Sequence, residues 1–379
     1  MVQTKRLEEL DGFRAVAIIL VIGFHYFSRW TPTINPVNLY PYGNIFAKFP
    51  LFKYGYVGVE LFFIISGFVI CLTLFQSNKI SEFYWKRFSR LFPTMLLCSL
   101  ITISIESLVP IKLFQIHLNS LLPSLTFVDP IIFSKIFGSD FHGVDGSYWS
   151  LFIEVKFYFI MSVLYFLSKR NNFSWYFFLL FISVELGYFV TSLLGLIKLN
   201  KLINLLFFIK YLPFFAGGVG FYFLFFDRIK LLYNSIIFTS IFFIIINSSI
   251  NSSINFIELF FYLLFYLLFY LFIFRRPWLS PFSWKPMTMI GAASYSLYLL
   301  HQDLGITIIA ALGNLFNFKN IFNILLIPFF VILLMIISSL YIYKIWEVPS
   351  KSWILSKLKP MISLNLISGK IPLTKNHDN

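Results

Sequence analysis

Polar residues break this chain only at long intervals, and the stretches between them are apolar enough to enter a bilayer. Ten apolar runs stand out, at about 11–28, 54–75, 91–109, 147–167, 174–195, 204–224, 233–250, 256–274, 289–312 and 320–344. Each approaches the roughly 20 residues that a helix needs to cross a hydrocarbon core. The pattern predicts an all-α protein, a polytopic integral membrane helical bundle of about ten transmembrane helices. Residues 1–350 form one transmembrane domain, and residues 351–379 a short basic cytoplasmic tail, too short to build a core.

Composition agrees with that division. The chain is 59% hydrophobic and 12% charged, about half the usual share of charge, with a mean hydropathy of +0.82. Its 379 residues would make two or three soluble domains, but here they make one bundle. The net charge of +14 speaks for topology rather than for nucleic acid, because the basic residues cluster between spans. With the N-terminus inside, 19 of the 30 Lys and Arg residues fall on inner segments and 8 on outer ones. The positive-inside rule then places both termini in the cytoplasm. The first run is too long for a signal peptide and no small-residue cleavage site follows it, so none is expected. Cys71 and Cys98 lie in apolar spans and imply no disulfide framework. The 51 phenylalanines read as lipid-facing bulk.

Ionisable residues inside such spans are costly, by roughly 2.5–3.5 kcal/mol on insertion scales, so each is a candidate for function. The first span holds Asp11, Arg14 and His25. Arg14 and His25 are 11 residues apart, about three helical turns, so both leave one face, roughly 16 Å apart along the axis. A snorkelling arginine and a histidine bonded to a neighbouring helix would be the plain structural alternative. The second span carries Glu60 near its start, where packing calls for no carboxylate; its glycines suit close helix approach. The fourth opens Ser147-Tyr148-Trp149-Ser150 and reaches Glu154, with Tyr158 one turn on along the same face. The ninth carries Ser294-Tyr295-Ser296-Leu297-Tyr298 and then His301. Lys156, in mid-helix, fits no group.

Depth sorts these residues. Counted from the outer surface, His25 lies about three residues in, Glu60 six, Glu154 seven and His301 near the midplane. One outer polar cavity is therefore expected to hold all four. Asp11, Arg14, Arg87 and Arg90 gather at the cytoplasmic side, the last two at i and i+3 on one face. Guanidinium groups pair bidentately with phosphate, and a histidine beside a carboxylate is a natural general base or transient acyl acceptor. Anchoring by the positive-inside bias is the competing reading for Arg87 and Arg90. The loop at 110–146 holds His117, Asp129, Asp140, His142 and Asp145 at no metal-ligand spacing, so it is expected to be a solvated loop and no metal is expected. The Asn-Ser-Ser triplets at Asn247 and Asn251 carry little weight as glycosylation acceptors.

Five stretches taken in order resemble the membrane acyltransferase 3 family, which includes O-antigen acetylases and the Nod-factor acetylase. They are Leu10 to His25, Gly55 to Phe68, Phe83-Tyr84-Trp85-Lys86-Arg87-Phe88-Ser89-Arg90-Leu91-Phe92-Pro93, Tyr148 to Glu154, and Ser294 to His301. The resemblance implies ten helices, acyl-CoA (acetyl-CoA foremost) as a cytoplasmic co-substrate with no bound cofactor, and a carbohydrate or glycolipid hydroxyl as acceptor. It places catalysis on His25 and acyl-CoA binding on Arg14, Arg87 and Arg90; Glu60 or Glu154 is expected to orient His25. Asp11, Ser147, Tyr148, Trp149 and His301 would support them. The family more often has aspartate where Glu60 stands. The fused esterase-like domain of some members is not expected here.

The function expected is an integral membrane O-acyltransferase, in particular an O-acetyltransferase acting on a cell-surface glycan or its lipid-linked precursor, in the bacterial inner (plasma) membrane. The rival is a transporter or flippase of a lipid-linked saccharide, which should show interrupted spans paired in two related halves; none is evident. A lipid-phosphate acyltransferase would need aspartate five residues after a histidine, and none of the five histidines has it.

Overall fold

A computed structural model describes residues 7–31, 44–109, 114, 118–168, 172–227, 231–251, 255–316 and 321–363. Seventeen helices are found there: α1 Glu8–Phe27, α2 Pro50–Lys53, α3 Gly58–Phe75, α4 Ile80–Leu108, α5 Leu121–Thr126, α6 Pro130–Phe137, α7 Trp149–Leu167, α8 Phe173–Leu193 and α9 Ile197–Phe207. The rest are α10 Leu212–Phe226, α11 Leu231–Asn251, α12 Phe256–Phe274, α13 Lys285–Ala292, α14 Ser294–Leu300, α15 Asp303–Phe316, α16 Ile321–Ile342 and α17 Val348–Ser363. There is no strand among the described residues.

Among the described residues eight helices are long and apolar enough to cross a membrane, and two bent pairs, α9 with α10 and α14 with α15, bring the total to ten if each pair is one span. The protein is a multi-pass membrane bundle. The expected spans at 147–167, 174–195, 233–250 and 256–274 match α7, α8, α11 and α12 to within about two residues. The third differs: α4 begins at Ile80, so Arg87 and Arg90 lie within the helix rather than at its mouth. The sixth bends by 43° at the α9–α10 junction, where Phe208 takes a left-handed φ of 42°. The ninth bends by 55° between Leu300 and Asp303. The tenth runs on through a wide π turn, Tyr343–Glu347, into α17, which extends across residue 351 as helix.

Local chemistry accounts for the ends that matter. The first turn of α1 carries Glu8, Glu9 and Asp11 against the positive end of the helix dipole. Glu9 also receives a bidentate pair from Arg276, Nε to Oε1 at 2.5 Å and Nη2 to Oε2 at 2.7 Å. Asp129 caps α6 through Ile131 N–H at 3.1 Å.

The bundle packs by small residues and rings. Gly67 of α3 and Gly218 of α10 face one another; a Cβ on the first would strike the Phe215 carbonyl, and on the second the Ile64 carbonyl. Phenylalanine is not confined to the lipid-facing surface. Phe13, Phe68, Phe157 and Phe215 are fully buried, and Phe157 stacks on Phe215 with centroids 4.1 Å apart. Aromatic volume fills the centre because backbone and side chain must interlock where no water assists association.

Candidate active site

The bend between α14 and α15 organises the site. A broken helix frees backbone groups that must find partners inside the protein. Asp145 supplies one: its Oδ2 accepts from Asp303 N–H at 2.9 Å, while its Oδ1 accepts from Ser147 N–H at 2.7 Å. Asp303 returns the favour, accepting from Gly146 N–H at 2.9 Å. Asp145 is thus buried, contrary to the solvated loop expected, and burial pushes its carboxyl above the usual range. The start of α7 is locked to the bend further along. Tyr298 O–H donates to the Ser147 carbonyl at 2.9 Å and lies 2.7 Å from Ser150 Oγ. Tyr148 O–H donates to the Leu299 carbonyl at 3.2 Å.

At the bend, buried His301 meets His25 of α1, with His25 Nδ1 2.9 Å from His301 Nε2. His301 Nδ1 is 2.8 Å from the Tyr298 carbonyl. A carbonyl only accepts, so His301 Nδ1 carries the hydrogen and, in the neutral ring, Nε2 carries a lone pair. Two lone pairs cannot bond, so His25 Nδ1 donates and His25 Nε2 is the basic nitrogen.

His25 lines a cavity of about 910 Å³, together with Glu60, Arg29, Trp30, Trp149, Tyr211, Lys210 and His142. Trp149 and Tyr211 form one wall, ring centroids 5.2 Å apart. Glu60 is buried, and its Oε2 has no hydrogen-bond partner among the described residues. It lines the same cavity as His25, whose Nδ1 is held by His301.

A second, narrow cavity of about 60 Å³ lies along α1 toward its start, lined by Arg14, Arg87, Arg90, Ser66, Glu154, Tyr295 and Tyr298 among others. Arg14 Nη1 holds Asp11 Oδ1 at 2.8 Å. Arg87 is buried, donates from Nη2 to the Val69 carbonyl at 3.3 Å and sits over the Tyr158 ring at 5.4 Å. Glu154 accepts from Ser66 at 2.5 Å and from Tyr158 at 2.6 Å.

The single outer cavity expected for His25, Glu60, Glu154 and His301 is therefore corrected: Glu154 belongs with the arginines. The start of α7 already lies at the depth of His301, so Glu154, four residues past Ser150, is a further 6 Å or so along the helix. Distance from a hydropathy edge misjudged this because the start of α7 is bonded to Tyr298 and Leu299 inside the bundle. Val59 and Tyr298 line both cavities and form the wall between them.

Lys156 has a partner, Asp129, at 4.0 Å. Asn247 is buried and donates to Glu185 at 3.1 Å and to the Ile209 carbonyl at 3.3 Å, beside the α9–α10 bend. His117 lies outside the described residues. Asp145, Asp303 and Tyr298's double role escaped the sequence reading. The polar triple His301-Gln302-Asp303, interrupting an apolar run, was the available signal for a break.

The multi-pass helical bundle encloses two polar cavities, one lined by Arg14, Arg87 and Arg90 and one lined by His25, which His301 holds. The chain belongs to the acyltransferase family, whose acyltransferase-domain model matches residues 7–344. It is similar to the peptidoglycan O-acetyltransferase OatA of Listeria monocytogenes serovar 1/2a, 26% identical over 167 residues, which is 41% of this chain and 24% of that protein. The match thus spans about a quarter of that relative's length. No solved structure matches the chain.

Proposed function

We propose that this membrane acyltransferase moves an acyl group, acetyl foremost, from acyl-CoA held at the arginine cavity to a hydroxyl of a cell-envelope glycan or its lipid-linked precursor in the histidine cavity. The observation that carries this is the chain Tyr298 carbonyl, His301, His25, which leaves a basic nitrogen on a ring lining the larger cavity. In this reading His25 Nε2 takes the acceptor proton as the hydroxyl oxygen attacks the thioester carbon. The carbon–oxygen bond forms, the carbon–sulfur bond breaks, and the proton passes from His25 to the departing thiolate, giving ester and free coenzyme A. His301 holds the tautomer, as a carboxylate does in a serine-hydrolase triad. Arg14, Arg87 and Arg90 hold donor phosphates with Asp11 and Glu154 orienting them. Trp149, Tyr211 and Trp30 offer ring faces to a sugar, and Glu60 offers an acceptor oxygen to one of its hydroxyls.

The wall shared through Val59 and Tyr298 supports a donor arm reaching from one cavity into the other. The similarity to a peptidoglycan O-acetyltransferase supports transfer to oxygen and a glycan acceptor. The same reading puts the arginine cavity on the cytoplasmic side of a bacterial inner membrane, both termini inside, with the helices of 1–350 as the catalytic domain. The test is thiol release from acetyl-CoA by purified protein in proteoliposomes, with labelled acetyl followed into a panel of glycan acceptors, wild type beside His25→Gln. Glutamine imitates one ring nitrogen but shuttles no proton, so transfer should fall at least about 10²-fold with donor binding kept. Equal rates in both proteins would remove His25 from the mechanism. Absence of transfer by wild type across the panel would favour a saccharide transporter.

A further inference from the structure

The family match ends at residue 344, yet the helix continues. The π turn Tyr343–Glu347 accommodates an extra residue and so resets which face of α17 meets the bundle, each residue being worth roughly 100°. Trp346 Nε1 donates to the Pro93 carbonyl at 2.8 Å, clamping the turn onto α4 one helical turn beyond Arg90. From there α17 runs against α4, the helix that carries Arg87 and Arg90. Glu347 is buried, with Arg90 and Arg14 in electrostatic reach and with Oε2 lacking a partner among the described residues. Lys351, one turn further, is exposed and lies within electrostatic reach of Arg90, Arg87, Glu347 and Arg14. Four cations gathered in Coulomb range repel one another, and Asp11, Glu154 and Glu347 offset three of those charges and leave one in excess. Buried Arg87, whose Nε is also without a partner among the described residues, lines the narrow cavity together with Arg14 and Arg90. An arrangement with unused donors and surplus positive charge is suited to an anion entering from the exposed side.

We propose that Lys351 of α17 is the outermost cation of the donor site, engaging a phosphate of the coenzyme A thioester at the entrance to the arginine cavity, with Glu347 positioning it. The inference rests on the acyl-CoA reading above. It assigns a binding role to a helix that lies beyond the matched domain. The π turn and the Trp346 hydrogen bond then serve to aim Lys351.

The experiment uses the full chain in proteoliposomes with two donors, acetyl-CoA and acetyl-pantetheine, the second lacking every phosphate. For Lys351→Ala the KM for acetyl-CoA should rise roughly three- to tenfold with kcat held, a modest factor because the site is open to salt. Lys351→Glu should raise it further, and Lys351→Arg should stay within about twofold of wild type. The ratio of kcat/KM for acetyl-CoA to that for acetyl-pantetheine should fall by the same factor. Equal losses with both donors, or no loss with either, would overturn the proposal. A loss that instead follows the phosphatidylglycerol content of the vesicles, for both donors alike, would assign Lys351 to a lipid headgroup and also overturn it. Wild type consuming neither donor would sink the acyl-CoA reading itself, and this inference with it.

Discussion

His25 Nδ1 and His301 Nε2 lie 2.9 Å apart although 276 residues separate them in the chain. That contact sets the tautomer of the ring that lines the larger cavity, so His301 acts through His25 rather than on substrate. His301→Ala should lower kcat about 10²-fold or more, within the range for acid–base catalysis, and leave the donor KM nearly unchanged. His301→Gln, whose side-chain oxygen can still accept from His25 Nδ1, should recover part of the loss. Loss of donor binding in either variant, with no recovery by glutamine, would make His301 a packing residue only.

Arg87 and Arg90 should act on the donor and not on the chemical step. Replacing either by alanine should raise the acyl-CoA KM on the order of tenfold to a hundredfold, as a lost charge-assisted hydrogen bond predicts. Lysine should rescue only partly, because the planar fork is gone. Steady-state kinetics at varied acetyl-CoA would decide; unchanged KM in a folded variant would return both residues to membrane anchoring.

Glu154 gives a sharper contrast, since sequence depth grouped it with His25 and the structure groups it with Arg87. Glu154→Gln keeps an acceptor for Ser66 or Tyr158 but removes the charge. Its effect should fall on the acyl-CoA KM, with the pH dependence of kcat as in wild type. A shifted kcat profile at constant KM would put Glu154 back beside the histidines.

Asp145 accepts two backbone N–H groups with two carboxylate oxygens, Ser147 and Asp303. Asparagine keeps one acceptor and faces the other N–H with a donor, so Asp145→Asn should destabilise the bundle by about 1–3 kcal/mol. Thermal unfolding in detergent should show a lower midpoint, and His301 should lose activity with its support. An unchanged midpoint would mean that the bend is held by packing alone.

Reporter fusions check the orientation. Fusions after Arg170 and at the C-terminus should read cytoplasmic and one within 120–140 extracytoplasmic, given the excess of basic residues on the inner segments. A C-terminus read outside would reverse which cavity faces the donor.

Much of this protein was written in local pattern. Hydropathy of +0.82 and runs near 20 residues specify a membrane helix bundle whatever the packing, because in lipid each helix satisfies its own backbone. The 11-residue interval from Arg14 to His25 specifies one face, because helix geometry is periodic. What no local pattern carries is the register between helices. That register was decided where Gly67 meets Gly218 and where Asp145 meets Asp303, contacts between residues more than 150 apart in sequence. It pairs His25 with His301, moves Glu154 across the Tyr298 wall to the arginines, and brings Lys351 into electrostatic reach of Arg90. A hydropathy edge reports where a helix enters lipid, but packing of side chains on neighbouring helices fixes how deep each residue sits, and so which cavity it serves.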